Sequence, residues 1–211
     1  MLKIKSRLVT GRERSVVVKK NIIVSFAIRG FSIIVSLMLV PMTLGYVSNE
    51  LYGIWLTLSS VMVWLGFFDI GFTLGLKNKL TEAIALKDWG KGKSLVSTTY
   101  AMMFFIFIPI CFLFELLIPF VKWAEFLNVN VQYNDEITRV LYILVAFFCM
   151  QMIVNVLTSV IAAFQKVALS TVFPVIGNVL SLIAIWLLTK FCLPSLVALA
   201  FAISAMPIIV I

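Results

Sequence analysis

Polar residues mark this chain in two ways: as short breaks between long apolar runs, and as stripes at helical spacing inside those runs. A helix needs ~20 apolar residues to cross a bilayer. Six segments reach or approach that length: 21–44, 51–76, 94–120, 137–164, 167–189 and 195–211. Between them lie a short turn at 45–50, a basic loop at 77–93, a polar loop at 121–136, the pair Gln165-Lys166 and a tight turn at 190–194. Pro109 falls inside the third run and predicts a kink there. The pattern predicts an all-α polytopic membrane protein, with a basic segment at 1–20 and a lobe of six transmembrane helices at 21–211. The sixth run is still apolar at Ile211 and no basic or aromatic flank closes it. The expectation is therefore that the lobe is the N-terminal part of something longer.

The first run carries the clearest stripe. Its polar residues are Asn21, Ser25, Arg29, Ser32, Ser36 and Thr43, spaced four, four, three, four and seven apart. That spacing puts them on one side of a helix. A spanning helix with such a stripe and an embedded cation is expected to turn that side to a partner helix or a watery cavity. The second run contains the one acidic residue deep in the membrane, Asp69, with Thr73 and Lys77 following at four-residue steps. Gly71 and Gly75 form a small-xxx-small pair that predicts close approach of another helix, and with Gly66 they also permit unwinding. At a rise of ~1.5 Å per residue, Arg29 lies ~13 Å and Asp69 ~12 Å from the same membrane edge. Equal depth on sequential helices predicts that the two face each other or share a cavity. The pair could simply neutralise itself and set register, or Arg29 could bind an anion with Asp69 tuning it.

Weaker stripes follow. Gln151, Asn155, Thr158 and Gln165 share a face of the fourth run, and Asn178 and Ser181 lie three apart in the fifth. Helix–helix hydrogen bonding and cavity lining both account for them. Glu115, near the outer end of the third run, is expected to snorkel to the interface.

Composition sharpens the class. Hydrophobic residues make up 63% of the 211, against roughly 45–50% in soluble domains, and charged residues 12% against roughly 25%; a soluble core cannot hide that much apolar surface. Seven of the 17 Lys and Arg precede Asn21. In a chain this apolar, such a cluster reads as an anchor on anionic lipid rather than as a nucleic-acid site. Lys77, Lys79, Lys87, Lys91, Lys93 and Lys166 fall on the same side as those seven, whereas Lys122, Arg139 and Lys190 fall on the other. This bias predicts a cytoplasmic N-terminus. Within the basic loop, 79–89 has the pattern of a short amphipathic helix on the membrane surface, with Leu80, Ala83, Ile84 and Trp89 on one face.

Soluble-enzyme chemistry finds no foothold. The chain has no histidine, and its three cysteines, Cys111, Cys149 and Cys192, stand singly in apolar stretches, so neither a disulfide framework nor a metal site can be read from spacing. No phosphate-binding glycine loop or nucleotide-binding domain is present. The expectation is a non-enzyme without cofactor or metal.

Three stretches carry a resemblance. Gly45-Tyr46-Val47-Ser48-Asn49-Glu50-Leu51-Tyr52-Gly53-Ile54-Trp55 resembles the outer turn into the second helix of polysaccharide exporters. The run from Phe67 to Leu80, with Asp69-Ile70-Gly71 at its head, looks like their second helix, and Ala163-Phe164-Gln165-Lys166 like their fourth-to-fifth turn. On these residues the chain resembles the O-antigen flippases. These are Wzx-type lipid-linked oligosaccharide transporters of the multidrug/oligosaccharidyl-lipid/polysaccharide exporter superfamily. The resemblance implies one six-helix half of a two-half transporter. It also implies a place in the bacterial inner membrane, and a substrate with an undecaprenyl-diphosphate anchor carrying an O-antigen or similar polysaccharide repeat for lipopolysaccharide assembly. Arg29 would then hold the diphosphate, Asp69 would set its electrostatics, and Ser25, Ser32, Ser36, Gln151 and Asn155 would line the route. Partners implied are the lipid-linked oligosaccharide, membrane lipid, and a second half-transporter chain or polysaccharide-assembly proteins, with no nucleic acid. Two other readings stand beside it: a non-transporting remnant or membrane subunit of a polysaccharide-assembly complex, and a cation-coupled drug exporter of the same superfamily.

Overall fold

A computed structural model describes the backbone of residues 2–69 and 71–211 and the side chains of residues 23–67 and 71–211. The described residues are helical and contain no strand. In chain order the helices are α1 (Leu2–Tyr46), α2 (Asn49–Leu65), α3 (Phe72–Ala85), α4 (Trp89–Leu117), α5 (Trp123–Phe126), α6 (Asn134–Ala163), α7 (Val167–Phe191) and α8 (Leu196–Val210). A 3-10 turn, Gly66–Asp69, separates α2 from α3.

Four helical stretches are long and apolar enough to cross a membrane: Ile23–Tyr46, Trp89–Phe120, Val131–Ala163 and Val167–Phe191. They match the first, third, fourth and fifth predicted runs. Their outward faces are as apolar as their inward ones: Phe105, Phe112 and Leu37 are each about two-thirds exposed or more. Such faces suit lipid rather than water, and several of them in one chain make this a multi-pass membrane protein.

The other two runs differ from expectation. The second, 51–76, is not one helix. α2 stops after Leu65 and α3 begins only at Phe72. The intervening Gly66 and Gly71 lower the cost of leaving helical geometry, so the glycines that permitted unwinding mark where the helix breaks. α3 then runs on to Ala85, so of the separate surface helix expected at 79–89, residues 79–85 become the last two turns of α3, 86–88 form the connection and Trp89 opens α4. α3 packs against α4 and α6, burying Leu76, Leu80 and Ala83. The sixth run forms α8, a shorter apolar helix of 15 residues. The loop at 121–136 is partly helical: it holds α5, a 3-10 turn at Val131–Tyr133 and the start of α6. Pro109 sits inside α4, which continues through it to Leu117.

The helices run up and down between two ends, and hydrogen bonds across the loops show which termini meet. At one end the Tyr46 hydroxyl donates to the Leu193 carbonyl (2.9 Å). There too the Tyr133 hydroxyl donates to Glu50 Oε2 (3.1 Å), and the Leu196 N–H donates to Glu136 Oε1 (2.7 Å). At the opposite end the Thr81 hydroxyl reaches the Ala163 carbonyl (3.4 Å). Helix starts there and above follow local chemistry. Ser48, Asp88 and Ser195 each accept a hydrogen bond from a first-turn N–H of α2, α4 and α8, as N-caps do.

α6 is the axis of the packing. It touches α3, α4, α7 and α8, and Ile137, Val140 and Val156 on it are fully buried. α8 fills the space between α6 and α7 with Leu196, Leu199 and Ala200. α7 and α8 approach closely. A Cβ on Gly177 would lie 2.5 Å from Pro207 Cα. α1 lies along α7 and reaches the core through Tyr46.

Candidate functional site

The helix break positions the residues singled out above. Between the Glu50–Tyr133 contact at one end and the Thr81–Ala163 contact at the other, the α2–α3 unit crosses the whole molecule with its break partway. Asp69 is the last residue of the 3-10 turn; its side chain lies outside the described residues, and so does its expected pairing with Arg29. The first residue of the turn, Gly66, lies against Met152 of α6, whose Cε is 3.9 Å from where a Cβ would stand. Met152 adjoins Gln151. The Gln151 amide donates to Asn155 Oδ1 (2.8 Å), and the Thr158 hydroxyl donates to the Asn155 carbonyl (2.7 Å). Two half-buried amides on α6 are therefore joined along their own helix, next in sequence to the methionine that meets the interrupted helix.

Height can be compared from the shared end. Arg29 is 17 residues below Tyr46, and the turn begins 17 residues below Asn49, each ~25 Å down at ~1.5 Å per residue. Asn155 lies eight residues, ~12 Å, above the last residue of α6. Arg29, the break and the amide pair thus occupy one zone in the half of the molecule nearer the N-terminus of α1.

They do not form one cluster around α1. The line that α1 buries runs through Ser25, Ile28, Ser32, Val35, Leu39, Thr43 and Tyr46. Val35, Thr43 and Tyr46 on it are nearly inaccessible. Ser25, Ser32 and Thr43 of the expected stripe share this line, whereas Arg29 and Ser36 are exposed. The stripe spans a broad arc of the helix, and the packing against α7 takes only one edge of it. Among the described residues the one ion pair is Lys122–Glu125 (3.1 Å), on the surface.

Other expectations resolve locally. Nothing stands within 4 Å of a Cβ placed on Gly71 or Gly75; Gly71 sits at the break and Gly75 inside α3, neither at a helix crossing, and a close crossing falls at Gly177 instead. The fifth run's Ser181 makes a helix–helix hydrogen bond, donating to the Ala202 carbonyl of α8 (3.2 Å). Glu115, two residues before the end of α4, is half-buried and accepts from the Cys111 thiol. An apolar groove of about 650 Å³ between α6, α7 and α8, lined by Phe191, Phe201 and Met206 among others, contains none of the predicted site residues. Among the described residues no three His, Cys, Asp or Glu side chains are placed to hold a metal.

No family model, no curated protein and no solved structure matches the chain.

Proposed function

We propose that this chain is a lobe of a membrane transporter that flips a lipid-linked anionic substrate, an undecaprenyl-diphosphate oligosaccharide of the O-antigen type, across the bacterial inner membrane with its N-terminus in the cytoplasm. The observation that carries the reading is the interrupted α2–α3 unit, whose break begins at Gly66 against Met152 of α6, at about the height of Arg29. Spanning helices are interrupted where backbone polar groups can turn to a substrate or ion, and such interruptions mark the sites of alternating-access transporters. Counted with α2–α3 and α8, the chain has six crossings.

Arg29 supplies the positive charge for a diphosphate headgroup. An unshielded cation in hydrocarbon costs ~2.5–3.5 kcal/mol on insertion scales. Its exposed position on α1 therefore calls for a facing surface, which a second half-transporter, in the same or another chain, provides across a cavity. Lys77, Lys79, Lys87, Lys91 and Lys93, on and after α3, concentrate anionic headgroups at the entrance.

Complementation of a strain lacking its lipid-linked oligosaccharide flippase tests the reading. The chain, expressed with its native second half where one exists, restores surface polysaccharide. Arg29→Ala lowers the restored level at least about tenfold, as loss of one charge-assisted hydrogen bond of ~1.5–3 kcal/mol predicts. Normal transport by the Arg29→Asp, Asp69→Arg double swap would show that no specific anion site exists at Arg29. Absence of any rescue favours a subunit or remnant of a polysaccharide-assembly complex.

A further inference from the structure

The groove between α6, α7 and α8 opens at the end where Tyr46 meets Leu193. Small residues create it: Ala184 on α7 and Ala198 and Ala202 on α8 leave a gap of about 650 Å³ that larger side chains would close. Its walls are fixed by contacts between helices. Phe201 packs edge-on against Phe147 of α6 with ring centroids 5.4 Å apart, and the Ser181 hydroxyl of α7 donates to the Ala202 carbonyl (3.2 Å). Its rim is apolar and open, with Leu187, Phe191 and Phe201 exposed.

Depth and width both limit what fits. The lining descends on α7 from Cys192 to Ala184, ~12 Å, and on α8 from Ser195 to Met206, ~16 Å. The acyl chains of one leaflet occupy half of a hydrocarbon core of ~30 Å, or ~15 Å. The groove thus runs from the helix ends down to about the depth that one leaflet's chains reach. Spread over that length, its volume gives a cross-section of roughly 40–55 Å², against roughly 80–110 Å² for a helix ~10–12 Å across. A helix would rest on the rim and leave the space unfilled, whereas a flexible hydrocarbon chain can enter it.

A cation stands at the mouth. Lys190 is exposed in the last turn of α7, three residues after the groove-lining Leu187, and residues three apart are neighbours on a helix surface. The one ion pair among the described residues, Lys122–Glu125, does not involve it. Other polar groups at this end are engaged within the protein: Ser195 Oγ accepts from the Ala198 N–H (3.4 Å) and Glu136 Oε1 from the Leu196 N–H (2.7 Å).

We propose that the groove holds one acyl chain of an anionic phospholipid from the leaflet at this end, with the lipid phosphate paired to Lys190. The hydrocarbon fills the apolar gap. The lysine stem follows the helix while its ammonium reaches headgroup level, and its charge selects the anionic lipid. The site lies in the half of the molecule away from Arg29 and the helix break, and it does not rest on the transport reading.

Full-length protein in phosphatidylcholine vesicles, doped with a phospholipid that carries a diazirine in its acyl chain, tests the site. The photoactivatable lipid has either a phosphatidylglycerol or a phosphatidylcholine headgroup, and mass spectrometry of the digest locates the adducts. Adducts on 184–192 and 195–206 are expected to be about fivefold more abundant with phosphatidylglycerol, the gain from one basic residue facing an anionic headgroup. Adducts on the exposed Phe105 and Phe112 of α4 are expected to show no such preference. Lys190→Gln, a change at an exposed position, is expected to abolish the preference and leave the α4 adducts unchanged. Ala198→Phe, which fills the groove, is expected to lose the groove adducts; should that variant fail to fold, the headgroup comparison in wild type and Lys190→Gln decides alone. Equal labelling of the groove by both lipids, or a preference that survives Lys190→Gln, would overturn the proposal. So would groove peptides that neither lipid labels while α4 is labelled, the pattern expected if a helix of a second copy or another chain covers the groove.

Discussion

Gly177 illustrates how much a single position decides. Its hydrogen lets α7 approach Pro207 of α8 so closely that a methyl group would stand 2.5 Å from a backbone carbon. Backbone cannot move aside as a side-chain tip can, so Gly177→Ala forces the helices apart. We expect a loss of about 1–3 kcal/mol, the range for overpacking a tight core, seen as a lower Tm in detergent. The neighbouring Ser181–Ala202 hydrogen bond would be stretched by the same shift. Glu136 is a second such position. It lies at the start of α6 yet accepts from the Leu196 N–H at 2.7 Å, which caps α8 from a distant part of the chain. Glu136→Ala removes a charge-assisted partner from an orphan helix N–H. It is expected to cost about 1.5 kcal/mol, while Glu136→Gln, which retains an acceptor, costs less; thermal unfolding of both variants distinguishes them. Neither role can be read from local sequence, because each depends on a partner 30 or 60 residues away.

At the scale of elements, helix ends are closed by the backbone motifs that short connections allow. α3 ends in a Schellman arrangement: the Lys87 N–H bonds the Ile84 carbonyl and the Asp88 N–H the Ala83 carbonyl. Lys87 adopts φ 58° there, a left-handed conformation that favours glycine. Asn128 does the same after α5 with φ 54°, at less cost because asparagine tolerates that region. Lys87→Gly is therefore expected to stabilise the α3–α4 hairpin by about 1 kcal/mol, a gain that the same substitution at the helical Lys91 would not produce. The interrupted α2–α3 unit is the element in which local propensity and overall hydropathy diverged. Hydropathy reads 51–76 as one run because Phe67, Phe72 and Leu74 are as apolar as helix interior. The break is legible only in the clustering of Gly66 and Gly71 around Asp69. Its neighbour on α6, Met152, is set by packing between segments more than 80 residues apart.

For the molecule as a whole, charge and topology agree. The Tyr46–Leu193 end carries Lys122, Arg139 in the second turn of α6 and Lys190 in the last turn of α7, whereas the opposite end carries Lys77, Lys79, Lys87, Lys91, Lys93 and Lys166. On the proposed orientation, a membrane-impermeant maleimide added to intact cells labels Cys192, which is exposed at the sparsely charged end. It does not label a cysteine introduced as Lys166→Cys in a chain lacking Cys192. The reverse pattern would invert the topology and with it the side from which substrate enters.

Composition and periodicity alone were enough for the class and for four of the long helices. Helices in lipid must satisfy their backbone internally, so length and apolarity leave little freedom. They also sufficed for the division of charge between the two ends, which is linear along the chain. Side-chain partnerships were decided elsewhere. α1 lies against α7 rather than along the next helix in sequence, so its stripe was divided: Ser25, Ser32 and Thr43 went to the packed edge, and Arg29 and Ser36 to the open one. The three cysteines ended in three environments for the same reason: Cys149 buried, Cys111 half-buried and Cys192 exposed. A helical pattern specifies which residues share a face, but only the assembled helices determine what that face meets.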